Sequence, residues 1–303
     1  MLEKSQIRNY AINPFMPEHK NINQNLPKCN LAHKYFDKRF GSGNWKFTLS
    51  GRHAISIALN YFNLEKKDVV TILTTSANFY ISSCVTNEIE KYCNWNREIT
   101  NKTKIIFINH EFGYPYPKMN DLLKLGLPII EDCCTGFFSQ NKIRKIGKYG
   151  EFAIYSFSKI FPIESGGLII SNTKKKVKHI NLDKEFSAYL ENVISYNLKN
   201  KNEIFKKRRI NFEYALRLFK KLGFDECFEN NKLIMPSLLI LNNNKVINNL
   251  DSFKVFLWKH KIESSIFYGE DAFFIPSHQS LTKKDIDFFY DSMLYYINYK
   301  NEI

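Results

Sequence analysis

Residues 151–172, EFAIYSFSKIFPIESGGLIISN, decide the fold. Two short apolar runs, Phe152–Phe157 and Leu168–Ile170, flank a turn that carries Ser156, Lys159 and the pair Gly166-Gly167. By length and residue type both runs read as buried strands. A lysine three residues after a serine, at the mouth of a buried strand, can lose solvation and become a nucleophile, as Schiff-base lysines do. In a chain of net charge +14 a lone lysine is usually a solvated one, so the reading turns on what stands at the neighbouring strand ends.

Upstream, the apolar run Leu127–Ile130 ends in Glu131-Asp132-Cys133-Cys134. An aspartate at the end of a buried strand needs a partner, because an unpaired buried carboxylate is costly. Lys104–Asn109 (KIIFIN) is apolar throughout, as a central parallel strand should be, and runs into His110-Glu111-Phe112-Gly113-Tyr114-Pro115. Asp68–Thr75 reads as a strand feeding a helix over NFYISSCVTNEIEKYC, with Phe79 and Tyr80 in its first turn. Trp45–Leu49 leads into Ser50-Gly51-Arg52 and a helix, an order that presents free N–H groups and the helix dipole to an anion. An N-cap serine explains that turn equally well. Strands alternating with helices from residue 45 to 171 predict an α/β fold, a mostly parallel sheet with helices on both faces and ligands at the strand carboxyl ends.

Three regions follow: an irregular arm over 1–43, with Pro14, Pro17 and Pro27 and a short helix over Leu31–Phe40; a large domain over 44–200; and a smaller α/β domain over 201–303. A long helical stretch is expected over Leu182–Leu222. A strand over Leu238–Leu241, a helix over Leu250–His260, an extended Ile262–Phe267 and a closing helix over Lys283–Ile297 come after it.

Composition sets bounds. At 44% hydrophobic and 24% charged residues the chain reads as globular and ordered. Its basic residues are scattered among KKDVV, KKKVKH and FKKRRI, which favours dispersed solvated charge over a nucleic-acid surface. The six cysteines form no CxxC and no zinc spacing, as expected of small buried residues in a reducing cytosol. Without a signal-like N-terminus or a membrane-length apolar run, a cytoplasmic protein is expected.

The SFSK segment followed by GG resembles the lysine segment of fold-type-I enzymes that use pyridoxal 5'-phosphate, and most nearly the DegT/DnrJ/EryC1/StrS sugar aminotransferases. The resemblance extends from about residue 30 to the C-terminal run FIPSHQSLTKKDID, and its parts occur in the family's order. It implies that Lys159 holds the cofactor as an internal aldimine and then serves as the base. Asp132 would pair with the ring nitrogen, while Ser156 and the Gly51 and Arg52 amides hold the phosphate. It further implies that Phe79, or else Tyr80, lies flat on the ring, that His110 edges the pocket, and that Thr135 stands where the family usually carries Gln or His. The implied reaction moves an amino group from an amino acid, glutamate by family habit, to a keto-sugar nucleotide or similar phosphorylated ketone, in a homodimer with no nucleic-acid or membrane partner.

The chain departs from the family in three ways. SFSK is two residues tighter between Ser and Lys than in many sugar aminotransferases. The family's Gly/Asn/Arg-bearing loop is not evident between Asn172 and Phe205. No arginine follows Arg217, which argues against the aspartate-type carboxylate clamp. A lyase or decarboxylase on the same cofactor, or a non-catalytic scaffold, are the alternatives.

Overall fold

The opening stretch folds as a β-hairpin. In the structure, a computed structural model that describes residues 8–300 apart from 142–144, 174–176, 178 and 179, strand β6 (Phe152–Ser156) pairs antiparallel with β7 (Gly167–Ser171). Ser156 faces Gly167 across the hairpin, so residues 157–166 form its loop and carry Lys159 at the rim. The polar run TKKKVKH lies largely outside the described residues.

Five further strands complete a seven-stranded sheet: β1 (Trp45–Thr48), β2 (Val69–Thr74), β3 (Asn94–Asn96), β4 (Thr103–Asn109) and β5 (Ile129–Asp132). Their order is β1-β7-β6-β5-β4-β2-β3. Neighbours from β6 to β3 are parallel, and β7 alone runs against both β6 and β1. The expected mostly parallel α/β sheet is therefore present. Its alternation is regular: Phe152 and Ile154 face the core under α3 (Gly51–Asn60) and α4 (Ser83–Glu90), while Ala153 and Tyr155 face the core under α2 (Leu31–Phe40) and α6 (Lys184–Lys199). In β4, Ile105 to Ile108 are all fully buried, as a strand covered on both faces must be.

The helical stretch expected over Leu182–Leu222 is two helices, α6 and α7 (Lys201–Lys220), which meet at Asn200. The Asn200 N–H closes the end of α6 on Tyr196 O, and its carbonyl accepts from Glu203 and Ile204 to start α7. A second, antiparallel sheet has the order β10-β11-β9-β8, with β8 Asp225–Glu226, β9 Leu238–Asn242, β10 Ser265–Ile266 and β11 Ala272–Pro276. One face packs on α7, α8 (Leu250–Lys259) and α9 (Lys283–Tyr299). The other meets Phe112 and Tyr114 of the large sheet's β4–α5 connection, α5 being Met119–Leu123.

Residues 8–43 are more ordered than an irregular arm. Pro17 opens α1 (Pro17–Gln24) at its first position, where its missing N–H costs nothing. Tyr10 exchanges backbone hydrogen bonds with Lys261 and Glu263, and Phe36 lies fully buried in the core beneath the hairpin. No helix of the described residues is long and apolar enough to cross a membrane.

Candidate active site

A cleft of about 530 Å³ lies between the two sheets, at the carboxyl ends of β1, β4, β5 and β6. Six of the eight residues singled out from the sequence line it: Gly51, Arg52, Asp132, Thr135, Ser156 and Lys159.

The glycine pair explains how the hairpin reaches the helix turn. Gly166 adopts φ +105°, where a side chain would be strained. A Cβ on Gly167 would meet Thr48 Oγ1 and Tyr155 O at 2.7 Å and Ser50 C at 2.8 Å. Gly166 N–H donates to Leu49 O at 2.8 Å, and Phe157 N–H donates to Gly166 O at 3.0 Å. Lys159 ends a single 3-10 turn, Phe157–Lys159, and stands half-buried. Its amine makes no hydrogen bond or ion pair among the described residues, so it is free for chemistry.

At the same end, Ser50 caps α3 in extended geometry, and its Oγ accepts from His53 N–H at 3.2 Å. The Gly51 and Arg52 amides precede the first intrahelical bond and are open to a ligand. A Cβ at Gly51 would stand 2.9 Å from Cys134 Sγ and 3.3 Å from Ser156 Cβ, so glycine keeps this cradle from closing. The Ser156 and Ser158 hydroxyls lie 3.3 Å apart beside it. Amides, hydroxyls and the exposed Arg52 guanidinium together suit a phosphate.

Asp132 is 7% exposed. Burial pushes its carboxyl up from the usual range. The Cys134 thiol and N–H, the latter donating to Oδ1 at 2.9 Å, hold it down in part, and Lys159 pulls in the same direction. No cation among the described residues pairs with it. A buried carboxylate so placed fits a cationic ligand atom.

Two candidates fall outside the cleft lining. His110 is fully buried: its Nε2 lies 3.1 Å from Glu131 Oε2, and its Nδ1 accepts from Tyr116 N–H at 3.0 Å. Glu131 also takes the Gly147, Tyr149 and Gly150 N–H groups, so both of its oxygens and both His110 ring nitrogens have partners within the chain. Phe79 is 83% exposed. The helix expected to start near it begins at Ser83, because Ala77 takes φ +61°, Asn78 Oδ1 captures Tyr80 N–H, and Ser82 is the cap. Tyr80, the alternative, does line the cleft, with Phe267 and Tyr268 against its ring. Thr135 donates to His110 O at 3.0 Å, which spends its proton within the chain.

Among the lining residues that the sequence did not single out is a buried acid, Glu111. Glu111 is 4% exposed; its Oε2 accepts from Ser76 N–H and Oγ, both at 2.7 Å, and burial pushes its carboxyl up. Its signal was an acid one residue past the histidine that follows the buried strand Lys104–Asn109.

Comparison with known proteins bears on the family pattern and the fold. The model of the DegT/DnrJ/EryC1/StrS aminotransferase family matches residues 91–199, a span that contains Asp132, Ser156 and Lys159. The GDP-perosamine synthase of Escherichia coli O157:H7 is 34% identical over 84 residues, 26% of this chain, and the match spans only 23% of that protein's length. A solved structure titled putative sugar aminotransferase Spr1654 from Streptococcus pneumoniae, in its PLP form, superposes with a TM-score of 0.73 at 13% identity, over 97% of this chain and 99% of that one. The aminotransferase TlmJ from Streptoalloteichus hindustanus gives 0.70 at 14% identity, over 90% and 93%. The chain thus carries the DegT/DnrJ/EryC1/StrS aminotransferase family's sequence pattern across residues 91–199, and the fold of sugar aminotransferases across nearly its whole length.

Proposed function

We propose that the chain is a pyridoxal-phosphate-dependent aminotransferase that moves an amino group from an amino acid, glutamate in the first instance, to a keto-sugar nucleotide or a similarly phosphorylated ketone. One observation carries the reading: a free amine at Lys159 and an unpaired buried carboxylate at Asp132 line the same cleft as an open amide cradle. The residues present suit the cofactor's three recognisable groups. Lys159 supplies the amine for its aldehyde. Asp132 supplies an anion to hold a proton on its ring nitrogen. Gly51, Arg52 and Ser156 supply donors for its phosphate. When bound, pyridoxal phosphate furnishes the electron sink that lets a bond at an amino acid's Cα give up its electrons.

The remaining work belongs to the chain. Lys159, with no competing partner among the described residues, can take a proton from the donor's Cα and return one on the acceptor side. Asp132, shielded from water, would hold a proton on the ring nitrogen of the bound cofactor. The walls contributed by Phe112, Leu238 and Phe274 are apolar and limit water's access to the reacting end. A homodimer in the cytoplasm goes with this reading, and sedimentation of the purified protein tests the dimer.

The test is spectroscopic. Added pyridoxal phosphate should give an absorbance band in the near-visible range, and borohydride should then fix the cofactor on the peptide that holds Lys159. Glutamate should discharge the band without releasing ammonia or carbon dioxide. Release of either would move the chain to the lyases or decarboxylases, and a protein that stays colourless with added cofactor would sink the enzymatic reading.

A further inference from the structure

Arg208 on α7 is among the largest fully buried side chains of the described residues, at 1% exposure, and no carboxylate among them accompanies it. A guanidinium in such a place is costly unless its protons are all used. Burial pulls its proton affinity down, to about 9, which still leaves it charged at neutral pH. Its Nη2 donates to Lys159 O at 3.3 Å and Ile160 O at 3.1 Å, and its Nη1 to Pro236 O at 3.4 Å. Its Nε donates to Gln279 Oε1 at 2.6 Å, and Gln279 Nε2 donates back to Ile160 O at 2.9 Å.

Three of these contacts, two from Arg208 Nη2 and one from Gln279 Nε2, converge on the Lys159 and Ile160 carbonyls. The carbonyls of Lys159 and Ile160 follow a single 3-10 turn, where the chain provides no helical donor for them. Their donors come from α7 and from the segment before α9, which pack on the second sheet. An apolar side chain would fill the same volume at less cost, so the guanidinium's place is explained by the carbonyls it holds. Resting on the assignment of Lys159 as the reactive amine, we infer that Arg208, braced by Gln279, is a positioning residue that fixes where the Lys159 amine stands in the cleft. The second sheet's side of the molecule thereby sets the geometry of a group carried by the first.

Cofactor-free protein tests this directly. Acetylation by an N-hydroxysuccinimide ester, read by peptide mass spectrometry, gives the rate at Lys159 relative to the exposed Lys118. R208K keeps the charge but lacks the planar fork, and Q279L removes the brace while leaving the guanidinium in place. In each, the Lys159-to-Lys118 ratio should rise about fivefold or more, the change that losing roughly one hydrogen bond of restraint produces. An unchanged ratio in either folded variant overturns the inference, whether or not its melting temperature falls. Should R208K fail to fold, Q279L carries the test alone. Wild-type protein that takes up no pyridoxal phosphate would count against the proposed function and leave this ratio readable.

Discussion

Replacing Asp132 with asparagine should strengthen the cofactor-free protein while weakening its hold on the cofactor. The carboxylate is buried, with the Cys134 N–H and thiol as its nearest donors and no ion pair among the described residues. A buried polar group short of partners costs about 1–3 kcal/mol, and more when charged. Asparagine keeps the shape and the acceptor that takes the Cys134 N–H at 2.9 Å, but carries no charge to desolvate. Near neutral pH, cofactor-free D132N should therefore exceed the parent by about 1–3 kcal/mol, or roughly 2–4 °C in melting temperature per kcal/mol. The pH dependence has a definite sign. Burial raises the folded-state pKa of Asp132 above its unfolded value, so the folded chain binds that proton more readily. The penalty is then absent below the ordinary aspartate range near ~3.9, where both states are protonated, and complete above the folded value. The gap between variant and parent should open as pH rises and close on acidification. With pyridoxal phosphate the balance reverses, because a hydrogen bond to an ionised acceptor, worth about 1.5–3 kcal/mol, is lost. Affinity should fall about 10- to 100-fold. Thermal melts across a pH series and cofactor titrations by absorbance read both effects. A cofactor-free D132N that melts below the parent at neutral pH, or a gap that widens in acid, would refute the reasoning.

K159A should remove the near-visible band and the borohydride-fixed peptide. Its folded stability should stay within about 0.5 kcal/mol of the parent, since the amine holds nothing among the described residues. G167A forces a Cβ to within 2.7 Å of Tyr155 O and 2.8 Å of Ser50 C, both backbone atoms that cannot swing aside. It should cost about 1–3 kcal/mol in chemical denaturation and loosen cofactor binding as the Ser50 turn shifts. F79A, at a side chain 83% exposed, should leave both stability and the bound-cofactor spectrum within error of the parent. A spectral change there would restore Phe79 as the ring's neighbour.

The parts of the fold that were legible are those in which a local pattern has only one physical solution. Uninterrupted apolar runs such as Lys104–Asn109 have no use outside a doubly covered sheet, and that run is the interior of β4. Gly166-Gly167 reads from the chain only as part of a turn; the close approach it permits, to the turn after β1 more than a hundred residues away, is visible only in the fold. The start of α4 was misread because apolar content suggested a helix at Phe79. The side chains of Asn78 and Ser82 settle the backbone there, through hydrogen bonds that apolar periodicity does not register. The strand β11 carries no alternation to mark it, because all five of its residues, Ala272–Pro276, are buried.

The division of labour between His110, Glu131 and Asp132 shows where sequence reasoning had more to give. Neighbouring residues on a strand face opposite ways, so the carboxylates of Glu131 and Asp132 cannot share a site. Once Asp132 is assigned to the cleft, Glu131 must lie beneath the sheet and find donors there. It finds them in three N–H groups of one loop, from Gly147, Tyr149 and Gly150, and in His110. That requirement, a buried acid in need of a donor, claims His110 and leaves the cleft to Glu111, the next residue along. The same bookkeeping runs through Arg208, whose protons go to carbonyls because no acid among the described residues is within reach. The groups proposed to do chemistry, Lys159 and Asp132, are those that have no charged partner among the described residues. Those that resemble them in the sequence but have all their partners in place are the ones that hold the fold.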